Sequence, residues 1–219
     1  MSERGSAFVT RAWTQLRQGG AAGFAWAALR SLGIHRQFLL TTGAGDAPAG
    51  SSSLPLDCAR LGSDEIGEYL AFRPDQAHDA IQRRLRDGDE CFVARHEGRL
   101  VAAIWTARGS VWLDFLAHRL WLAEGVYFNH DLFVSAALRG KRVADTLTEF
   151  RSAALREAGF VRRVALYERE NHASTRRSLR RENRVIARLE CLRLGPWQRI
   201  RLYARPGEEE TLVRLTPGA

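Results

Sequence analysis

Two apolar runs, Val126 to Val134 and Val164-Ala165-Leu166-Tyr167, stand on either side of a helical segment from Arg139 to Ala158 that Gly159 ends. Strand, helix and strand in this order read as an α/β unit whose second strand joins a parallel pair. The first run leads through a short turn, Leu138-Arg139-Gly140-Lys141-Arg142-Val143-Ala144, straight into the helix. Amide groups at a helix start lack intrahelical partners, and the macrodipole adds partial positive charge there. Such a turn is a device for holding an anion on main chain. Arg139 and Lys141 add full charges at the same mouth.

The surrounding sequence extends the alternation. Leu54 to Leu61 predicts a strand, and Ser63 an N-cap for a helix through Phe72 that buries Ile66, Tyr69 and Leu70. Pro74 opens a further helix through Arg86, closed by Asp87-Gly88. Cys91 to Ala94 and Leu100 to Trp105 flank His96-Glu97-Gly98 and form a hairpin. Val111 to Leu122 does not decide between strand and helix. Asn171 to Arg181 reads as a helix, and Val185 to Leu194 with Ile200 to Tyr203 as a closing hairpin around Gly195-Pro196.

Before residue 54 the pattern changes. Residues 1–36 form an amphipathic helical extension, with Phe8, Val9, Ala12, Trp13 and Leu16 on one face. Basic helices within 8–32 are of a kind that touches anionic lipid, but docking on the domain's own surface is the simpler use. Residues 37–53 contain a short strand at Phe38-Leu39-Leu40 and a flexible linker of Gly, Ala, Pro and Ser. The domain itself is expected at 54–205, with a loose tail at 206–219.

At 219 residues and 45% hydrophobic content the chain can bury a core of its own. It has no apolar run of membrane-spanning length and no secretory N-terminus, which predicts a cytoplasmic location. Cys58, Cys91 and Cys191 lack metal-ligand spacing and read as reduced core thiols, with no metal expected. The formal charge of +8 invites a nucleic-acid reading. Lys141 is the only lysine, however, and the arginines are spread over every segment rather than gathered in one block. That charge suits an anionic co-substrate or an acidic carrier protein better than a nucleic acid.

The segment at Arg139 resembles the acyl-CoA pyrophosphate loop of the GCN5-related N-acetyltransferase (GNAT) superfamily, whose pattern is Gln or Arg, two residues, Gly, one residue, then Gly or Ala. Arg139 and Ala144 fit; Arg142 stands at the central glycine. Glu170-Asn171-His172-Ala173-Ser174 is similar to the family's Glu-Asn-x-x-Ser element after the next strand. With the order of elements, the resemblance covers Leu54 to Tyr203. It implies the GNAT fold: a mixed central sheet with splayed parallel strands flanked by helices, here with an N-terminal helical extension.

The resemblance also implies acyl-CoA, acetyl-CoA by default, as co-substrate. Leu132, Phe133 and Val134 would serve it through main chain, Arg139, Gly140, Lys141, Arg142, Val143 and Ala144 would hold its pyrophosphate, and Asn171 and Ser174 would approach the pantetheine. Arg142 implies either a rearranged loop whose guanidinium joins the phosphates or a loop that does not close on them. Ser178 occupies the position at which many members carry a tyrosine that protonates the departing thiolate. A serine hydroxyl is a far weaker acid than a phenol near pKa 10.

The activity implied is direct transfer of an acyl group to the primary amine of a small molecule or amino acid. Alternatives are an N-acyl amino acid synthase-like enzyme drawing on acyl carrier protein, and a non-catalytic binding domain of this fold. An alkylammonium near pKa 10.4 costs roughly 4 to 5 kcal/mol to deprotonate near neutrality, whereas an α-amine near 8 costs about 1. His130 and Asp131 precede the expected oxyanion segment with alternate facing, so one of them should meet the amine. Glu168 and Glu170 are weaker candidates. The aromatic group Trp105, Trp112, Phe115, Trp121, Tyr127 and Phe128 is chiefly core, and any part lining a pocket favours a partly apolar acceptor or acyl chain.

Overall fold

The computed structural model describes residues 34–43, 52–169, 171, 183–204 and 212–217. Its strands are β1 (His35–Gly43), β2 (Asp57–Arg60), β3 (Glu90–His96), β4 (Arg99–Arg108), β5 (Ser110–Leu113), β6 (His118–Leu122), β7 (Val126–Val134), β8 (Arg162–Glu168), β9 (Arg184–Leu194), β10 (Trp197–Ala204) and β11 (Val213–Pro217). The helices are α1 (Ile66–Phe72), α2 (His78–Arg86) and α3 (Val143–Glu157). Eight strands form one sheet in the order β10-β9-β1-β8-β7-β4-β3-β2, and β11-β6-β5 form a second, smaller one. Every pairing is antiparallel except β7 with β8. This is the mixed, helix-flanked sheet expected of the α/β class.

Helices cover the two faces of the large sheet separately. The stripe Val143, Leu147 and Leu155 of α3 follows helical spacing, and its first two members pack on Phe92, Ala94, Ala102 and Ile104. The alternate residues of the same strands, Cys91, Val93, Ala103 and Trp105, point the other way and meet Ile66, Tyr69 and Ile81 of α1 and α2. The small sheet extends that second layer, burying Val111, Leu113, Leu116 and Leu120 against Phe38, Phe128 and Leu189. Burial pushes the Tyr69 phenol up to about 12, and its oxygen accepts the Trp105 indole N–H at 2.8 Å.

Several boundaries differ from the sequence reading. The strand at Phe38–Leu40 is the nine-residue β1, inserted between β8 and β9, so the sheet begins well before residue 54. The expected tail contains β11, because Leu212 and Val213 are apolar enough to be buried in the core and carry the chain along β6. The undecided segment 111–122 is a hairpin turned by Leu116 N–H to Leu113 O at 2.9 Å. The helix expected from Ser63 opens as a 3₁₀ turn, with the Glu65 carboxylate accepting the Gly62 N–H at 2.7 Å. The helix expected from Pro74 starts at His78, since Arg73 to Gln76 close a turn of their own. The helix expected from Arg139 starts at Val143, because Gly140 (φ 82°) and Arg142 (φ 59°) are left-handed. The expected helices within 1–33, the linker at 44–51 and the helix after Asn171 lie outside the described residues. Among those described, no helix is long and apolar enough to cross a membrane.

Candidate active site

The two parallel strands part company. β7 and β8 are in register from Val126↔Arg162 to Asn129↔Ala165 and are unpaired with each other beyond that point. The remainder of β8 stays with β1 and the remainder of β7 stays with β4. A wedge therefore opens between His130–Val134 and Leu166–Glu168, at the carboxyl ends of parallel strands where open α/β sheets bind ligands.

The wall on the β7 side is irregular. Opposite Ile104 of β4, between the pairs Ala103↔Phe133 and Trp105↔His130, β7 carries both Asp131 and Leu132. This extra residue is a β-bulge, and Asp131 adopts φ 51° within it. Leu132 is 40% exposed, unusual for a leucine in a central strand. Asp131 Oδ1 accepts from Arg73 at 3.1 Å and Oδ2 from Arg84 at 2.8 Å. The Arg73 guanidinium is buried and also donates twice to Asp75, both at 2.9 Å. Those bonds to Asp75 hold the Arg73 proton more tightly than usual and keep the Asp75 carboxyl well below the ordinary range.

At one end of the wedge lies the basic turn. After a 3₁₀ turn at Ala136–Leu138, the chain reaches Arg139, Gly140 and Lys141, and Arg142 is the N-cap of α3. Arg139, Lys141 and Arg142 are exposed. The helix start leaves the amides of Val143 and Ala144 without an intrahelical acceptor. Arg142 holds the left-handed conformation that a glycine would supply, so the turn keeps that shape without glycine. Ser52 braces it, its hydroxyl donating to Lys141 O and its N–H to the Thr146 hydroxyl, both at 2.8 Å. This exposed cationic loop on a helix start fits a diphosphate, and the strand opening beside it fits an extended amide-bearing arm.

On the α2 side of the sheet the wedge meets a cavity of about 380 Å³. Phe38, Trp112, Phe115 and Phe128 give it an aromatic lining, and His130, Asp131 and Glu168 reach it from the parting strands. Its charged groups are mostly paired with each other. Glu168 accepts two bonds from Arg36, at 2.9 and 3.2 Å. His130 Nε2 lies 3.0 Å from Asp89 Oδ2, whose carboxylate is 6% exposed. A carboxylate accepts, so Nε2 carries the hydrogen, and in the neutral ring the lone pair is on Nδ1. Phe128 stacks on the imidazole at 6.0 Å between ring centres.

His130, Asp131 and the Leu132–Val134 segment thus meet at the wedge, while Arg139 to Ala144 stand beyond its end. Arg139 Nε reaches back to Val134 O at 3.3 Å. Asn171 follows β8, its N–H donating to Glu168 O at 2.9 Å. Glu170, Ser174 and Ser178 lie outside the described residues. Of the aromatic group, Trp112, Phe115 and Phe128 line the cavity, Trp105 and Tyr127 are buried, and Trp121 is exposed. Sequence reasoning missed Asp89, Arg73, Arg84 and Arg36. Asp87-Gly88 was legible as a helix stop, but nothing local marked the next carboxylate as the partner of a histidine 41 residues on.

The sequence model of the acetyltransferase (GNAT) family matches residues 59–180. No curated protein matches significantly. Among solved structures, a conserved protein of unknown function from Staphylococcus epidermidis ATCC 12228 superposes with a TM-score of 0.50 at 13% identity, over 81% of this chain and 66% of that one. A protein from the GNAT family of Novosphingobium aromaticivorans DSM 12444 gives 0.50 at 15% identity, over 78% and 66%. The chain spans just under two thirds of the length of these two structures.

Proposed function

The chain belongs to the acetyltransferase (GNAT) family, and from that premise we propose that it transfers an acyl group from acyl-CoA to a primary amine by direct attack, both substrates being bound together. The observation that carries this reading is the parting of β7 from β8 after Asn129↔Ala165, with an exposed cationic helix start at one end and an aromatic-lined cleft on the other face. Acyl-CoA supplies the activated acyl group. Arg139, Lys141, Arg142 and the amides of Val143 and Ala144 hold its pyrophosphate. The free edge of Leu132 to Val134 orients the pantetheine arm, and a main-chain N–H near Leu132 polarises the acyl carbonyl.

The acceptor amine enters through the cavity. His130 takes its proton on Nδ1, while Asp89 fixes the ring and stabilises the imidazolium through Nε2–H. The aromatic lining favours an acceptor with an apolar body.

Calorimetric titration with acetyl-CoA, followed by thiol release with a panel of amines, tests the reading. Binding that Arg139→Glu weakens at least tenfold supports it; no binding at high protein concentration rejects CoA as donor. His130→Ala should lower kcat by about 10²- to 10⁴-fold for an alkylamine. The loss should be smaller for an α-amine, which is partly neutral already at pH 7 to 8.

A further inference from the structure

We propose that Asp131, clamped by Arg73 and Arg84, is a positioning residue that fixes the bulge of β7 so that the Leu132 N–H is aimed into the wedge at the acyl carbonyl. The inference rests on the acyl-transfer reading above and gives Asp131 a different task from proton transfer.

A bulge alone does not set a direction. It leaves an unpaired residue on a strand whose neighbour on the other side has already departed, so nothing in the sheet ladder holds Asp131 and Leu132 in one orientation. The left-handed φ of 51° at Asp131 is a conformation that aspartate tolerates better than most residues but does not prefer. Both carboxylate oxygens are engaged, each by a separate arginine, and the two arginines come from different places: Arg73 is the C-cap of α1 and Arg84 lies on α2. Each guanidinium is itself braced. Arg73 is forked onto Asp75 and sits 4.3 Å over the Phe133 ring, and Arg84 sits 5.2 Å over Trp105. Phe133 and Trp105 belong to the two strands that define the bulge. The irregular backbone is thus tied at three levels: its own carboxylate, the ring after it and the ring across from it.

This arrangement differs from that of His130, which has one carboxylate partner and an unused ring nitrogen. Asp131 has no oxygen without a cationic donor. The clamp also links the cavity to the carbonyl site, since Arg84 and Asp131 both line the cavity. An acceptor that presses on α2 therefore bears on the bulge through one ion pair.

The test compares Asp131→Ala, Asp131→Asn and Arg84→Met by steady-state kinetics, acetyl-CoA calorimetry and amide hydrogen exchange at Leu132. Asp131→Ala should lower kcat by about 10- to 100-fold, the scale on which a misplaced donor acts, while the Kd for acetyl-CoA changes less than threefold. Asp131→Asn, which also tolerates the left-handed conformation and keeps one acceptor, should recover most of kcat and retain the pH profile. Arg84→Met, at a partly exposed site, should give an intermediate loss and keep the folded state when the alanine variant does not. Unchanged kcat in Arg84→Met, or an Asp131→Asn variant that loses one limb of the pH profile, overturns the proposal. If the wild-type protein acylates no amine, the acyl-transfer reading fails. The clamp is then judged by exchange at Leu132, which Arg84→Met must accelerate if the clamp holds the bulge.

Discussion

Arg142 holds a left-handed backbone (φ 59°, ψ 14°) where α3 begins, and its cost can be set against that of the glycine it displaces. Left-handed geometry costs a side-chain-bearing residue roughly 1 to 2 kcal/mol, whereas glycine loses about 0.5 to 1 kcal/mol more backbone entropy on folding. Arg142→Gly should therefore raise stability by about 0.5 to 1 kcal/mol, read as a higher urea midpoint at unchanged slope, while weakening acetyl-CoA binding by removing a cation. Tyr69 gives a second prediction at this scale. Above pH 10 an unfolded phenol releases its proton, but the native one keeps it to about 12, so the unfolded chain binds fewer protons and stability falls across that window. The fall amounts to about 2 to 3 kcal/mol. In Tyr69→Phe this contribution to the alkaline loss should vanish, at a neutral-pH cost of about 1 to 3 kcal/mol because the Trp105 indole N–H loses its acceptor.

Among the elements, β11 carries the clearest test. It covers the outer edge of β6 and buries Leu212 and Val213, each worth about 1.5 to 3 kcal/mol. Ending the chain at residue 211 should cost about 3 to 6 kcal/mol, seen as a fall in Tm, and leave β6 as an open edge prone to association. This strand was illegible in the sequence because its three apolar residues, Leu212, Val213 and Leu215, follow Pro206-Gly207 and three glutamates that read as a polar tail, and only the exposed edge of β6 gives them a use. The hairpin of β3 and β4 was legible, since its apolar runs and the turn at Glu97-Gly98 are local features. β7 was read to the residue, but the 3₁₀ turn at Ala136–Leu138 was not, and the helix begins four residues later than expected. The bulge was not read either, because an aspartate in a strand looks the same in sequence whether it faces water or two arginines. His130 and Asp131 were picked out by their position, but their separate partners, Asp89 for one and Arg73 with Arg84 for the other, come from remote segments.

For the molecule as a whole, the formal charge of +8 is already net of every carboxylate, and what an anionic ligand meets depends on where the unengaged cations stand. Arg36, Arg60, Arg73, Arg84, Arg95 and Arg108 are all engaged with carboxylates. Arg139, Lys141 and Arg142 stand exposed together at the start of α3. Raising ionic strength from about 0.05 to 0.5 M should weaken acetyl-CoA binding several-fold, and the slope should flatten in Arg139→Glu. β1 has a consequence of another kind. Its Phe38 lies between Glu168 on one side and Leu189 on the other, so neither edge of the strand has its partner until the ribosome has passed residues about 120 positions further on. β3 and β4 can pair at once, but β1 must wait for β8 and β9. β9 and β10 follow later still, so a nascent chain carries β1 as an unpaired strand on both edges until β8 is made and on one edge until β9 is made.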